Sequence, residues 1–201
     1  MVTRPPEHEI VDERARPVLD RLHAQDAAER AAGLPQEERI RALTPATGAF
    51  LYAALLALRP PLIFEAGSAV GYSTIWLALA ARTYGGRVIG SEVRPERVAA
   101  ANANLTEAGL QEVATVLRGD AADLVRQFDG IGFLFLDAEK DDYGRLFLAG
   151  IDRVVPGGLI VADNVISHDC REYQALVRSR PDVYTVTLAF ERGLEWTIKR
   201  W

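Results

Sequence analysis

The sequence predicts an α/β protein, doubly wound around a mostly parallel sheet. Three observations predict it. From residue 62 onward, short apolar runs alternate with helix-like segments. The runs are apolar throughout, as in strands covered on both faces. The rhythm then breaks: the last two strand-like segments have no helix between them, so they should pair antiparallel.

The segment from Pro5 to Arg41 is rich in Glu, Arg and Ala, with Ile10, Val11, Val18, Leu19 and Leu22 spaced as on an amphipathic helix. Gly33-Leu34-Pro35 breaks it. Thr44-Pro45 reads as an N-cap followed by proline at the first helical position. The apolar run Phe50 to Leu58 follows, stopped by Pro60-Pro61. Strands are then predicted at Leu62–Glu65, Arg87–Glu92, Val113–Leu117, Gly132–Asp137 and Leu159–Asp163. Helices are predicted between them at Ser73–Ala81, Pro95–Ala108 (closed by Gly109), Ala121–Phe128 and Tyr143–Val154, the last ended by Pro156-Gly157-Gly158. A helix at Arg171–Arg178 leads to the final pair, Tyr184–Phe190 and Leu194–Lys199, joined across Glu191-Arg192-Gly193.

With 201 residues, one domain is expected, residues 1–58 forming an N-terminal helical cap and 62–201 an α/β core. The chain is 49% hydrophobic and 25% charged, ordinary for a globular protein. A net charge of -5 argues against nucleic acid as a partner, since phosphate binding needs a positive surface. No apolar stretch is long enough to span a bilayer, and Met1-Val-Thr-Arg-Pro-Pro-Glu-His8 is too polar for a secretory signal. Cys170 is the only cysteine, which excludes an internal disulfide and fits a cytoplasmic location.

Ligands of a doubly wound sheet sit beyond the carboxyl ends of the strands, and the informative residues fall there. After the first strand comes Glu65-Ala-Gly67-Ser-Ala-Val-Gly71-Tyr-Ser73. Glycines let the chain turn tightly and let a ligand approach the backbone. A dinucleotide fingerprint would have a further glycine where Ala69 stands, which argues against NAD. Glu92 ends the second strand about 25 residues after Gly67, near the spacing of a ribose-binding acid. Asp120, after the third strand, could cap the next helix or hold an adenine amino group. Two further strands stop at Asp137 and at Asp163-Asn164, hard oxygen donors suited to magnesium or calcium. Both aspartates could instead cap the helices that follow. Lys140 is one of two lysines in a chain with 21 arginines. Unlike arginine, lysine can give up its proton where its surroundings disfavour charge, so Lys140 is a candidate base.

Together, Phe64-Glu-Ala-Gly67-Ser-Ala-Val-Gly71-Tyr-Ser73, Ser91-Glu92, Phe135-Leu-Asp137-Ala-Glu-Lys140-Asp-Asp-Tyr143 and Ala162-Asp163-Asn164 resemble the class I S-adenosylmethionine-dependent O-methyltransferases, in the branch of the catechol and caffeoyl-CoA enzymes. The resemblance runs from about Leu43 to the C-terminus. It implies a Rossmann-like methyltransferase fold with seven strands, the last antiparallel. It implies that Glu65, Gly67 and Ser73 hold the methionine end of S-adenosyl-L-methionine, that Glu92 holds the ribose, and that Asp120 and Ala121 lie beside the adenine. Leu43 would cover the cofactor. Asp137, Asp163 and Asn164 match the ligands of a divalent metal, usually magnesium, with Asp137 also bordering the cofactor, and Lys140 matches the general base. The partner implied is a small-molecule methyl acceptor; relatives often dimerise, which raises a homodimer. The chain departs from the pattern in three places. Glu139 stands where many relatives have aspartate, Glu191-Arg192-Gly193 stands where plant enzymes often carry Gly-Asp-Gly, and the stretch from Val165 to Cys170 is short.

This chemistry suits these residues. Methyl transfer from a sulfonium to a phenol is an in-line displacement whose nucleophile is the phenolate. A free phenol has a pKa of about 10, so little is ionised at neutral pH. An oxygen-ligated cation that chelates adjacent hydroxyls, with an amine to take the proton, corrects this. The expected activity is therefore metal-assisted O-methylation of a catechol-like compound. The alternatives are a metal-independent small-molecule methyltransferase, an NAD-dependent oxidoreductase and a non-catalytic cofactor-binding protein.

Overall fold

The chain is described here over residues 11–201 by a computed structural model. Ile10, at the start of the expected first helix, lies outside those residues. In chain order the described elements are α1 (Ala15–Ala31), α2 (Pro45–Leu58), β1 (Leu62–Ala66), α3 (Tyr72–Tyr84), β2 (Arg87–Glu92), α4 (Pro95–Glu107), β3 (Ala114–Arg118), α5 (Ala121–Val125), β4 (Ile131–Leu136), α6 (Tyr143–Gly150), β5 (Val154–Asp163), α7 (Arg171–Ser179), β6 (Val183–Leu188) and β7 (Leu194–Lys199). Short 3₁₀ turns at Lys140–Asp142 and Ile151–Arg153 flank α6. Among the described residues no helix is long and apolar enough to cross a membrane.

All seven strands join one sheet in the order β3-β2-β1-β4-β5-β7-β6. Neighbours from β3 to β5 are parallel, and β7 runs antiparallel to both β5 and β6. The expected terminal hairpin is therefore present, as is the expected doubly wound, mostly parallel sheet of seven strands. Successive strand residues point to opposite faces, and the core divides accordingly. Ile63, Phe133, Phe135, Leu159 and Val161 pack with α1 to α4 on one face. Phe64, Leu134, Leu136, Ile160 and Ala162 pack with α5 to α7 on the other. Full burial of a side chain such as Phe133 or Phe135 contributes about 1.5–3 kcal/mol. The unbroken apolar runs are thus explained by two covered faces.

The helix termini follow local chemistry. Thr44 Oγ1 accepts from the Thr47 amide at 3.1 Å with Pro45 beside it, as expected, and α2 ends at Arg59 in a left-handed conformation. The expected helix over residues 121–128 stops at Val125, and Phe128 turns back to pack on Phe64. The helix expected to reach Val154 ends at Gly150, where a Cβ would lie 2.6 Å from Leu134. β5 begins at Val154, well before Leu159. Its partner register moves from Ile131↔Val154 to Phe133↔Leu159, so β5 carries three more residues than β4 over that span. Gly157 (φ 78) and Gly158, whose Cβ would meet Val154 at 2.6 Å, accommodate the excess.

Strand order reverses between β1 and β4. Their following segments leave on opposite faces, and a crevice opens beyond their carboxyl ends.

Candidate active site

The turn after β1 is built from close approaches. Gly67 has φ 93, and a Cβ there would lie 2.5 Å from the Asp137 carbonyl oxygen. Glycine therefore lets the tips of β1 and β4 touch. The Gly67 and Ser68 amides both donate to the Ser91 carbonyl, at 3.1 and 2.9 Å, tying the turn to β2. Ala69, where a dinucleotide fingerprint has glycine, is itself left-handed at φ 46. Beneath the turn Glu65 is fully buried. Its Oε2 accepts from Ser68 Oγ at 2.6 Å and Thr74 Oγ1 at 2.5 Å, while Oε1 has no partner among the described residues. Burial pushes this carboxyl up to about 7, against the pull of the neighbouring hydroxyls. Glu65 thus braces the turn from behind, whereas Gly67 and Ser73 line the cavity in front of it.

That cavity has a volume of about 370 Å³ and runs along the crevice. Glu92, Gly119, Asp120 and Ala121 border one end, and Asp137, Lys140, Asp163 and Asn164 border the other. Glu92 is buried, and its Oε1 accepts from the Arg94 amide at 2.9 Å. Asp120 caps α5, accepting from the Ala122 amide at 2.9 Å. It also meets Arg145 through two bonds of 2.8 and 2.9 Å, and that guanidinium holds its carboxyl below the usual range. The capping role expected of Asp120 is present; both its oxygens are already engaged.

At the other end Lys140 Nζ donates to Asp137 Oδ1 at 3.2 Å and to Tyr143 Oη at 2.5 Å. Tyr143 Oη in turn donates to the Asp163 carbonyl at 2.9 Å. The Asp163 carboxyl is buried and pushed up to about 7, first by burial and then by Asp137; Lys140 and Arg192 oppose the rise. Asn164 is left-handed (φ 63), a conformation asparagine tolerates. Two carboxylates and an amide carbonyl are a hard-oxygen donor set. A buried carboxyl whose proton affinity is raised by a second carboxylate is one that a cation would relieve. These residues therefore fit a magnesium-like ion, although among the described residues no three His, Cys, Asp or Glu side chains gather into such a site. Asn164 has to supply the third donor.

The cavity roof went unread in the sequence. Residues 37–43 cross it as a strap. Arg94 Nη1 donates to the Glu37 carbonyl at 2.9 Å, and Arg97 Nη2 to the Glu37 and Arg39 carbonyls at 2.8 and 2.9 Å. From the other side, Glu29 and Asp26 of α1 accept from the Ile40 and Ala42 amides at 2.8 and 3.2 Å. Arg41 pairs with Glu139 at 2.7 Å. Leu43, at the end of the strap, is buried and lines the cavity. Tyr143 was likewise missed as a site residue, although its spacing of three from Lys140 is a helical signal for contact. His168 also lines the cavity, with Nδ1 3.0 Å from Ser167 Oγ.

Known proteins resemble this chain in sequence and fold. A family profile described as "Methyltransferase domain" matches residues 64–165. The catechol O-methyltransferase of Niastella koreensis is 37% identical over 129 residues, covering 62% of this chain and 58% of that protein. The chain thus spans less than two thirds of that relative's length. The catechol O-methyltransferase of Sus scrofa is 31% identical over 128 residues, covering 60% of this chain and 68% of that protein. An O-methyltransferase from Bacillus cereus, solved in complex with SAH, superposes with a TM-score of 0.78 at 25% identity, covering 99% of this chain and 94% of that one. A glycine turn at the β1 tip, a buried acid at the β2 tip and paired carboxylates at the β4 and β5 tips are thus found in a chain that belongs to the methyltransferase-domain family.

Proposed function

We propose that this chain is an S-adenosylmethionine-dependent O-methyltransferase that methylates one of two adjacent hydroxyls on a small catechol-like acceptor. One observation carries the proposal. A single cavity has an acid suited to a ribose at one end and Asp137, Lys140, Asp163 and Asn164 at the other. The catechol O-methyltransferase relatives and the SAH-bound neighbour support it. In this reading Gly67 and Ser73 face the methionine end of the cofactor, with Glu65 supporting the turn. Glu92 takes the ribose hydroxyls, Asp120 and Ala121 flank the adenine, and Leu43 covers it. The whole chain is one methyltransferase domain, with 1–58 as its cap and 62–201 as its core; a cytoplasmic setting and a homodimer belong to the same reading.

Asp137, Asp163 and Asn164 would hold a divalent cation, magnesium by their chemistry. When bound, such an ion supplies Lewis acidity that favours the ionised hydroxyl. Lys140 Nζ accepts the hydroxyl proton; the oxygen–methyl bond forms as the methyl–sulfur bond breaks, leaving a thioether and an aryl methyl ether. Tyr143, held by the Asp163 carbonyl, fixes the position of Nζ. The strap and the β1 turn keep donor and acceptor aligned, which is where much of the acceleration of an in-line displacement arises.

Calorimetric titration with S-adenosylhomocysteine and with NAD, followed by methyl transfer to catechol with and without a chelator, tests this. Binding of the first ligand only, and activity lost on chelation and restored by magnesium, are expected. NAD binding in its place would refute the cofactor, and full activity in chelator would refute the metal.

A further inference from the structure

The mouth of the cavity holds a cation that none of these roles uses. Arg192 lines the same end as Asn164 and His168. At that end Lys140 is paired with Asp137 and Arg41 with Glu139. Among the described residues Arg192 has no ion-pair partner. Its charge reaches the Asp163 carboxylate, but Asp163 also faces Asp137 and Lys140. With Asp163 committed to a cation, as proposed above, Arg192 is left as the uncompensated charge of the mouth.

The backbone that carries Arg192 is fixed. Glu191 (φ 51) and Gly193 (φ 91) flank it in left-handed conformations. Its carbonyl accepts from the Ile166 and Ser167 amides, both at 3.1 Å, and the Gly193 carbonyl accepts from Val165 at 3.1 Å. A Cβ on Gly193 would lie 2.4 Å from Ile166 Cγ1, so turn and loop are in tight contact. The short Val165–Cys170 stretch passes directly into α7. A guanidinium on a rigid turn loses less freedom on binding than one on a mobile loop, and its planar fork matches a carboxylate through two parallel bonds.

We propose that Arg192 selects an anionic acceptor: an aromatic acid with two adjacent hydroxyls, the hydroxyls at the β4 and β5 tips and the carboxylate on the guanidinium. This rests on the methyltransferase reading and names the substrate class of that site. Arg192 takes no part in the bond changes; it is a specificity residue.

The test compares 3,4-dihydroxybenzoate with its uncharged isostere 3,4-dihydroxybenzamide, using the whole chain loaded with magnesium. Two quantities are read: kcat/KM with S-adenosylmethionine, and equilibrium binding in the presence of S-adenosylhomocysteine. Wild type is expected to favour the acid by about ten- to hundredfold, the scale of a hydrogen-bonded charge pair. Arg192→Gln should reduce that ratio to near one, and Arg192→Lys should restore part of it. Taking the ratio within each protein cancels general losses of activity or folding. An acid bound no better than the amide by wild type overturns the proposal, as does the same ratio in wild type and Arg192→Gln. If wild type methylates neither compound, the methyltransferase reading fails, and the binding ratio still decides for or against Arg192.

Discussion

Replacing Glu65 with glutamine should change how stability depends on pH. The carboxyl is fully buried, with one oxygen unpartnered among the described residues. Its proton affinity rises from an ordinary 4.5 to about 7, chiefly through burial. In the unfolded chain it is ionised above about 4.5; in the folded chain it keeps its proton until about 7. Between those values the folded state binds more protons, so stability falls as pH rises through the window. At about 1.4 kcal/mol per tenfold change in proton affinity, the loss attributable to Glu65 by pH 8 is about 3 kcal/mol. Asp163, also raised to about 7, adds a fall of the same sign. It is present in both proteins and cancels in their difference. Denaturant unfolding of wild type and Glu65→Gln, with chelator and without cofactor, is the assay. The stability of the variant relative to wild type should grow by about 2.5 kcal/mol from pH 5 to pH 8. For a chain of this size that corresponds to roughly 5–10 °C in relative Tm. Parallel stability curves would refute a buried carboxyl with raised proton affinity.

Three other perturbations bear on the site and its frame. Lys140→Arg keeps a cation beside Asp137 but removes the base; turnover should fall by about 10² or more while S-adenosylhomocysteine affinity, read by calorimetry, changes little. Wild-type turnover would remove Lys140 from that role. Gly67→Ala sets a Cβ 2.5 Å from the Asp137 carbonyl at a φ of 93, and thermal unfolding should register a loss of about 2–5 kcal/mol; an unchanged Tm would mean that the β1 and β4 tips are not in contact. Glu195→Ala strips a fully buried acceptor from Gln174, Thr185 and Thr187; urea unfolding should show a cost of about 3 kcal/mol or more, and a neutral result would argue that water replaces the carboxylate.

What was legible in the sequence divides along physical lines. The tips of β4 and β5 could be read because an apolar run that stops at Asp137 or Asp163 is both a strand signal and a chemical one. The antiparallel β6–β7 pair could be read because Glu191-Arg192-Gly193 is too short for a crossover helix. The early start of β5 could not: Pro156-Gly157-Gly158 reads as a breaker, yet it sits inside the strand and takes up a register shift. Nor could the strap. Its grips are guanidinium groups on main-chain carbonyls at 37 and 39, and every residue offers a carbonyl, so no side-chain pattern marks them. The family resemblance puts Glu65 on the cofactor; in three dimensions the turn itself lies between Glu65 and the cavity.

The way the strap is gripped governs which changes it can absorb. Arg94 and Arg97 seize oxygens that survive almost any exchange of side chain at positions 37 and 39. Identity there is free to drift while length is not: one residue inserted or deleted between Pro35 and Thr44 would pull both carbonyls off their arginines and lift Leu43 from the chamber below.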